Sequence, residues 1–311
     1  EINGYALNYT GDIDIARDAS VITPSKHKVL LAVGHDEYWS AEQFNKFETA
    51  RNNGVNIAFF SGNTLYWKTR WEDNFQTLVC YKEGTQGIYS CGSKCDPVTN
   101  VWTGLWRDGC LPAYGTHDGC RPEGPFLAQM GWTEATGSIK VPDTYKNLRF
   151  WKNTSIAALG SGQTATLPLG TLGAEWDQEQ FVELLPARRI PLSFTTFTGL
   201  NHRMYLYRHD NSGALVFSAG TMQWCWGLDD NHDNPSLPPS LAMQQATVNL
   251  LFDMGATAET LQQFVVAPSA STDVLPPSTT IVNPIHTSTV PGSPITISGT
   301  AADNGGGAVG G

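Results

Sequence analysis

Long apolar runs, an excess of positive charge and the common catalytic signatures are all missing from this sequence. No stretch approaches the ~18 consecutive apolar residues that cross a bilayer, so no membrane span is expected. Lys and Arg number 19 against 29 Asp and Glu, a net charge of −10. A chain so acidic, without a basic stripe, repels phosphate backbones, and nucleic acid is not an expected partner. Charged residues make up only 15% while hydrophobic ones make up 41% of 311 residues. That balance excludes a disordered protein and supplies apolar surface for one large core or two smaller ones. The sequence has no G-x-S-x-G elbow, no H-E-x-x-H, no P-loop and no G-x-G-x-x-G. Serine hydrolases, zinc proteases and nucleotide-binding enzymes of standard type are thereby set aside.

What the chain does have is aromatic: 10 Trp, 10 Tyr and 13 Phe. Such a surplus fills a large core or lines a pocket or sugar-binding surface. Of the six cysteines, Cys91, Cys95, Cys110 and Cys120 crowd one Gly- and Pro-containing segment, with Cys80 and Cys225 outside it. With His117 nearby the group reads as a zinc site, but it lacks paired C-x-x-C knuckles. Disulfides stapling a long loop are the better reading, and they imply a secreted or cell-surface protein. Both ends read as cut, Glu1 entering a strand-like Tyr5, Leu7, Tyr9 alternation and the tail stopping in glycines.

Local structure is clearest between residues 28 and 66. Lys28–Val33 is an apolar run expected as a strand buried on both faces, followed by the loop Gly34–Trp39. Ser40 and Gln43 have the form of a capping box, Phe44, Phe47 and Ala50 recur at helical spacing, and Gly54 ends the helix. Val55–Phe60 is a second strand, leading into Ser61–Trp67. A strand–helix–strand unit makes a right-handed crossover between parallel strands, so both loops leave from the carboxyl edge where α/β sheets place their chemistry. Residues 84–122 read as a cysteine-rich insertion. Short strands are expected at Leu148–Trp151, Gly170–Leu172, Ile190–Phe197, Arg203–Tyr207 and Ala214–Ser218, then a helix over Leu241–Met254. The Pro- and Ser-rich stretch 263–280 is a linker. Strand-like Ile281–Pro284 and Ile295–Ala301 then suggest a truncated immunoglobulin-like segment over 281–311.

His35-Asp36-Glu37-Tyr38-Trp39 is the strongest candidate for chemistry. It sets several ionisable groups directly after a strand, although a single acid there would serve equally to cap the next helix. Tyr66-Trp67 repeats the Tyr-Trp pair at the end of the neighbouring strand, and Glu175 stands beside Trp176 after a small-residue turn. Asp229, Asp230, His232 and Asp233 form a polar knot without the pattern of a calcium loop. His202 and His209 sit among strand residues and read as structural.

Val33-Gly34-His35-Asp36-Glu37-Tyr38-Trp39-Ser40, with Gly54-Val55-Asn56, Gly62-Asn63, Tyr66-Trp67 and Arg70, resembles the C-terminal region of the large subunit of N,N-dimethylformamidase. The likeness runs more weakly through Val79–Glu83, Trp106-Arg107-Asp108, Glu175-Trp176-Asp177 and Gly220–Trp224, over about residues 1–262. It implies an α/β fold with a flavodoxin-type, glutamine-amidotransferase-like parallel sheet and a β-rich C-terminal half. It also implies a mononuclear ferric site, Fe(III), on two tyrosines and a glutamate, here Tyr38, Tyr66 and Glu175, with Tyr81 a rival second tyrosine. Phenolate and carboxylate are hard anionic ligands suited to that ion. His35, Glu37 and Asn63 become the proton-transfer or orienting groups. The expected activity is hydrolysis of a C–N bond in a small amide-type substrate. The reading from another class is a secreted, non-catalytic module in which tryptophans bind a glycan and the immunoglobulin-like tail is a spacer or surface anchor.

Overall fold

The computed structural model describes residues 2–18, 20–83, 95–101, 103–108, 121–186, 188–233, 237–273, 275–284 and 296–304. From the N-terminus come α1 (Asp12–Arg17), β1 (Val29–Gly34), β2 (Tyr38–Ser40), α2 (Ala41–Asn52), β3 (Asn56–Ser61), β4 (Trp67–Glu72) and β5 (Thr77–Val79). The middle holds α3 (Gly124–Leu127), β6 (Thr133–Glu134), β7 (Lys140–Pro142), β8 (Thr164–Thr166) and β9 (Glu175–Trp176). Next are β10 (Ile190–Pro191), β11 (Thr195–Phe197), β12 (Leu200–His202), β13 (Tyr205–Arg208) and β14 (Leu215–Ser218). The helix α4 (Leu241–Asp253) and strands β15 (Ser278–Asn283) and β16 (Ser298–Ala302) complete the order.

The predicted strand–helix–strand unit is present. β1 and β3 pair in parallel from Val29↔Asn56 to Gly34↔Ser61, with α2 between them. Ser40 Oγ accepts from the Gln43 amide at 3.2 Å, one half of a capping box. The Gln43 side chain supplies no second half, because its Nε2 donates instead to Asp12 Oδ1, tying α1 to α2. Gly54 follows the helix at φ +92, a left-handed backbone that costs glycine little.

These strands belong to a five-stranded sheet of order β1-β3-β14-β13-β10. Its parallel part is β1, β3 and β14, whereas β13 and β10 each run antiparallel to the neighbour before them. The sheet is mixed, which corrects the expected parallel sheet: a short loop returns the chain from β13 to β14 as an antiparallel pair, and β10 adds antiparallel to β13 after the β11–β12 hairpin intervenes. The fold class is mixed α/β with several further two- and three-stranded sheets.

The centre of the molecule follows from the alternation along β3. Ile57 and Phe59 pack with α2 residues Phe44 and Phe47 and with Trp39, Phe126 and Val216. Ala58 and Phe60 face the other way, packing with Phe150, Trp151, Leu215, Phe217, Trp224 and the α4 residues Met243, Ala246 and Leu250. Helices thus cover both faces, and β3 is buried along nearly all its length. Each fully buried Phe of this set contributes roughly 2–3 kcal/mol of transfer free energy. β1 is instead the edge strand, and Leu31 and Val33 are exposed at 38% and 56%. The double burial expected for it belongs to β3.

Other expectations shift for local reasons. Leu148–Trp151 is no strand, since Arg149–Trp151 forms a 3-10 turn that buries Phe150 and Trp151. Gly170–Leu172 contributes only an isolated bridge, Gly137↔Leu172. Ile190–Phe197 splits into β10 and β11, and Tyr5–Tyr9 is irregular, with Asn3 held by Gln262 instead. β15 and β16 pair antiparallel and are exposed throughout; these two strands form no sandwich, and residue 295 lies outside the described residues. Cys80 and Cys225 are free thiols. Cys95 is disulfide-bonded, while Cys91, Cys110 and Cys120, like most of the expected insertion, lie outside the described residues.

Candidate functional site

The parallel pairing of β1 with β3 releases both following loops at one edge of the sheet, and the backbone then knits them together. The amides of Tyr66 and Trp67 donate to the carbonyl of Glu37 at 3.0 and 2.9 Å, and that of Leu65 to Asp36 at 2.9 Å. Beyond these bonds the chains continue side by side as β2 and β4, with Tyr38 opposite Trp67. A third segment closes on the pair. Gly62 lies so near β9 that a Cβ there would sit 2.7 Å from the carbonyl oxygen of Glu175, so only glycine fits.

Three segments therefore present their side chains to one point. His35 Nε2 is 2.8 Å from Glu175 Oε2 and 3.4 Å from Glu37 Oε2. Asn63 Nδ2 donates to the same Glu175 oxygen at 2.7 Å. Asn63 holds a left-handed backbone, φ +49, and its amide donates to Asp177 Oδ1 at 2.9 Å. One donor atom from each of His35, Glu37 and Glu175 falls within 4.8 Å of the others. The imidazole is a third exposed, and the two carboxylates are 12% and 25% exposed, so the cluster is open on one side.

Burial sets the electrostatics. It raises the Glu37 carboxyl above its ordinary pKa; the His35 and Lys82 charges and a hydrogen bond from Trp67 pull the other way, while Glu175 adds to the rise. Desolvation pushes Asp177 up to about 7 and Asp36 to about 7. Asp36 belongs to a different job. Its Oδ1 accepts from the indole of buried Trp39 at 2.8 Å, fixing the start of β2.

Tyr38 opens β2, directly after Glu37, and Tyr66 precedes β4, its amide bonded to the Glu37 carbonyl. Lys82 Nζ lies 4.9 Å from the centre of the Tyr38 ring and 5.4 Å from that of Trp67, and a hydrogen bond with Tyr38 raises its pKa. Tyr66 is buried, edge-on to Trp67 and Trp132, with the Arg107 guanidinium 4.8 Å above its ring. Tyr81 is 41% exposed, and its amide is tied to Thr103. Four residues here escaped sequence reasoning in any functional role: Gly62, Lys82, Arg107 and Asp177. Asp177 and Arg107 lay in the Glu-Trp-Asp and Trp-Arg-Asp triplets, and their polar residues beside buried tryptophans were the available signal.

The donors at this point are hard oxygens and one imidazole, and Asn63 Oδ1, buried beside Glu175, has no hydrogen-bond partner among the described residues. Such a set fits a hard cation. Elsewhere the candidates separate. No described histidine, cysteine or carboxylate groups with Asp229, Asp230 or Asp233 into a second ligand cluster. His202 is buried against the Ala219 carbonyl with its pKa depressed to about 4 by desolvation, and His209 bonds Ser212, both structural roles. No described tryptophan is exposed.

No curated protein matches the chain at a significant level. The family model described as N,N-dimethylformamidase beta subunit-like, C-terminal, matches residues 1–235 of the 311. The match takes in every residue of the cluster and stops before α4, which packs into the same core. The chain belongs to the N,N-dimethylformamidase beta subunit-like C-terminal family.

Proposed function

We propose that the protein is a hydrolase of the carbon–nitrogen bond of small amides, working at the open cluster formed by His35, Glu37, Glu175 and Asn63. The observation that carries this reading is the convergence of a histidine and two carboxylates from segments more than 100 residues apart, with His35 Nε2 at 2.8 Å from Glu175. Mononuclear ferric iron would be held by Tyr38, Tyr66 and Glu175. Tyr66 is preferred to Tyr81 because its own amide is bonded to Glu37. When bound, the ion supplies Lewis acidity to an amide carbonyl and to water.

The chain's own groups account for the protons. His35 donates its Nε2 proton to Glu175, which leaves Nδ1 to accept a proton from attacking water, and the Glu175 carboxylate then stabilises the imidazolium. Glu37, held above its ordinary pKa by burial, is suited to keep a proton and pass it to the departing nitrogen. Asn63 fixes the Glu175 oxygen, and Asp177 fixes Asn63. The cysteine-dense segment supports a location outside the cytoplasm.

Metal analysis and spectroscopy of protein purified after iron-replete expression test the reading, together with amine release from formamide-type substrates. The expected outcome is about one iron per chain and a visible phenolate-to-iron band that Tyr38→Phe or Tyr66→Phe removes. Hydrolysis should fall at least ~100-fold in Glu175→Gln. Colourless, metal-free and inactive protein would overturn it and leave a non-catalytic binding role.

A further inference from the structure

A second concentration of charge lies at the same edge of the sheet, on the side away from β1. Tyr205, at the start of β13, is paired with Ser218 at the end of β14, so it faces the carboxyl end of the parallel strands. Around it a cleft of about 370 Å³ is lined by Tyr145, Glu179, Arg189, Pro191, Arg203 and Tyr205. This volume falls in the range of small-ligand sites. Glu179 follows Glu175 by four residues, so at most about 14 Å of chain separates the two places.

The cleft reverses the charge of the molecule. The chain carries −10, yet here two guanidinium groups meet a single carboxylate. Arg203 is bonded to Glu179 Oε2, Arg189 stands 3.6 Å from Oε1, and the Tyr205 hydroxyl donates to Oε1 at 2.7 Å. Glu179 thus neutralises one arginine and leaves a net positive charge. The guanidinium planes are held in place by rings, Arg189 4.8 Å over Tyr205 and Arg203 4.5 Å over Phe194. Their side chains are only 17% and 27% exposed. The Nε atoms of both are buried and have no hydrogen-bond partner among the described residues. Two stacked guanidinium forks share one glutamate, so their charge is only half matched and their planar donors suit an additional oxyanion.

We propose that this cleft binds a small anionic ligand through its carboxylate or phosphate group, held by Arg189 and Arg203, with Glu179 as the internal anion that keeps the arginines oriented. The site is independent of the cation cluster and does not rest on the amide-hydrolase reading.

Titration of the full chain with inorganic phosphate and, separately, with acetate, followed by calorimetry, tests the proposal. Saturable binding of one anion per chain is expected, and whichever probe binds more tightly identifies the oxyanion class. Arg189→Gln should weaken it about tenfold or more while leaving the thermal midpoint close to wild type. Glu179→Gln should tighten it several-fold, because the competing carboxylate is gone, an effect that a purely structural ion pair would not give. Binding of neither anion at tens of millimolar, or equal binding in wild type and Arg189→Gln, would overturn the proposal. So would weaker binding in a folded Glu179→Gln variant.

Discussion

Asn63 connects two carboxylates through one residue, its amide on Asp177 and its side chain on Glu175, from a left-handed backbone that asparagine tolerates better than most residues. Asn63→Gly keeps that backbone and deletes only the side-chain bond. It is expected to stay folded, with kcat/KM for amide hydrolysis lowered about 10–100-fold, measured by initial rates. His202 yields a prediction of opposite kind. Its folded-state pKa of about 4 lies below the ordinary 6.5, so the unfolded chain takes up a proton that the native chain refuses. Stability from this residue is complete above pH 6.5 and is lost as pH falls to about 4, by on the order of 3 kcal/mol. Asp36 and Asp177, raised to about 7, act in the reverse sense: their contribution is complete below about pH 4 and is lost as pH rises toward 7. The difference between wild type and His202→Asn in denaturant melts at pH 7 and pH 4.5 isolates the histidine, and an unchanged difference would refute the assignment. At this scale His35 and Glu37 are legible, because ionisable residues crowd the end of a strand. Asp177 is not, because its partner is the amide of a residue 114 positions away.

Among the elements, the crossover β1–α2–β3 is written locally in its apolar run, its capping serine and its terminal glycine. Ser40→Ala removes the acceptor for the Gln43 amide and should cost about 1 kcal/mol in chemical denaturation. The loop after β3 obeys a tertiary rule instead. A methyl at position 62 meets the Glu175 carbonyl at 2.7 Å, the Met222 amide nitrogen at 3.0 Å and the Thr221 Cα at 3.0 Å, all backbone, so something must move. Gly62→Ala should cost roughly 1–3 kcal/mol. If Glu175 holds iron as proposed, the displacement should also lower iron occupancy, and elemental analysis of the variant checks this. The turn at Arg149–Trp151 shows the limit of local reading. Its apolar pair satisfies a strand pattern, but Phe150 and Trp151 are drawn into the core on a 3-10 turn, where Asn249 of α4 bonds the Phe150 carbonyl.

The whole molecule is a sheet covered on both faces, with α4 and the strands near it completing what β1 to β3 begin. Contacts reach past α4 to Ser269, which accepts from Arg149 and Lys152, and then give way to the exposed pair β15 and β16. A chain ending at residue 273 should therefore unfold within a degree or two of the full chain, as scanning calorimetry would show. A large drop would mean that the terminal strands support the core. By itself the sequence determined the crossover, its caps, the placement of two polar loops at one sheet edge and the family likeness, because each depends on the period and identity of neighbouring residues. Only the tertiary structure decided that β3 rather than β1 is buried on both faces. It alone made the sheet mixed, brought Glu175 and Asp177 to His35 and Asn63, and set two arginines around Glu179. These are contacts between distant segments, selected by packing and by burial of charge, and no local pattern encodes them.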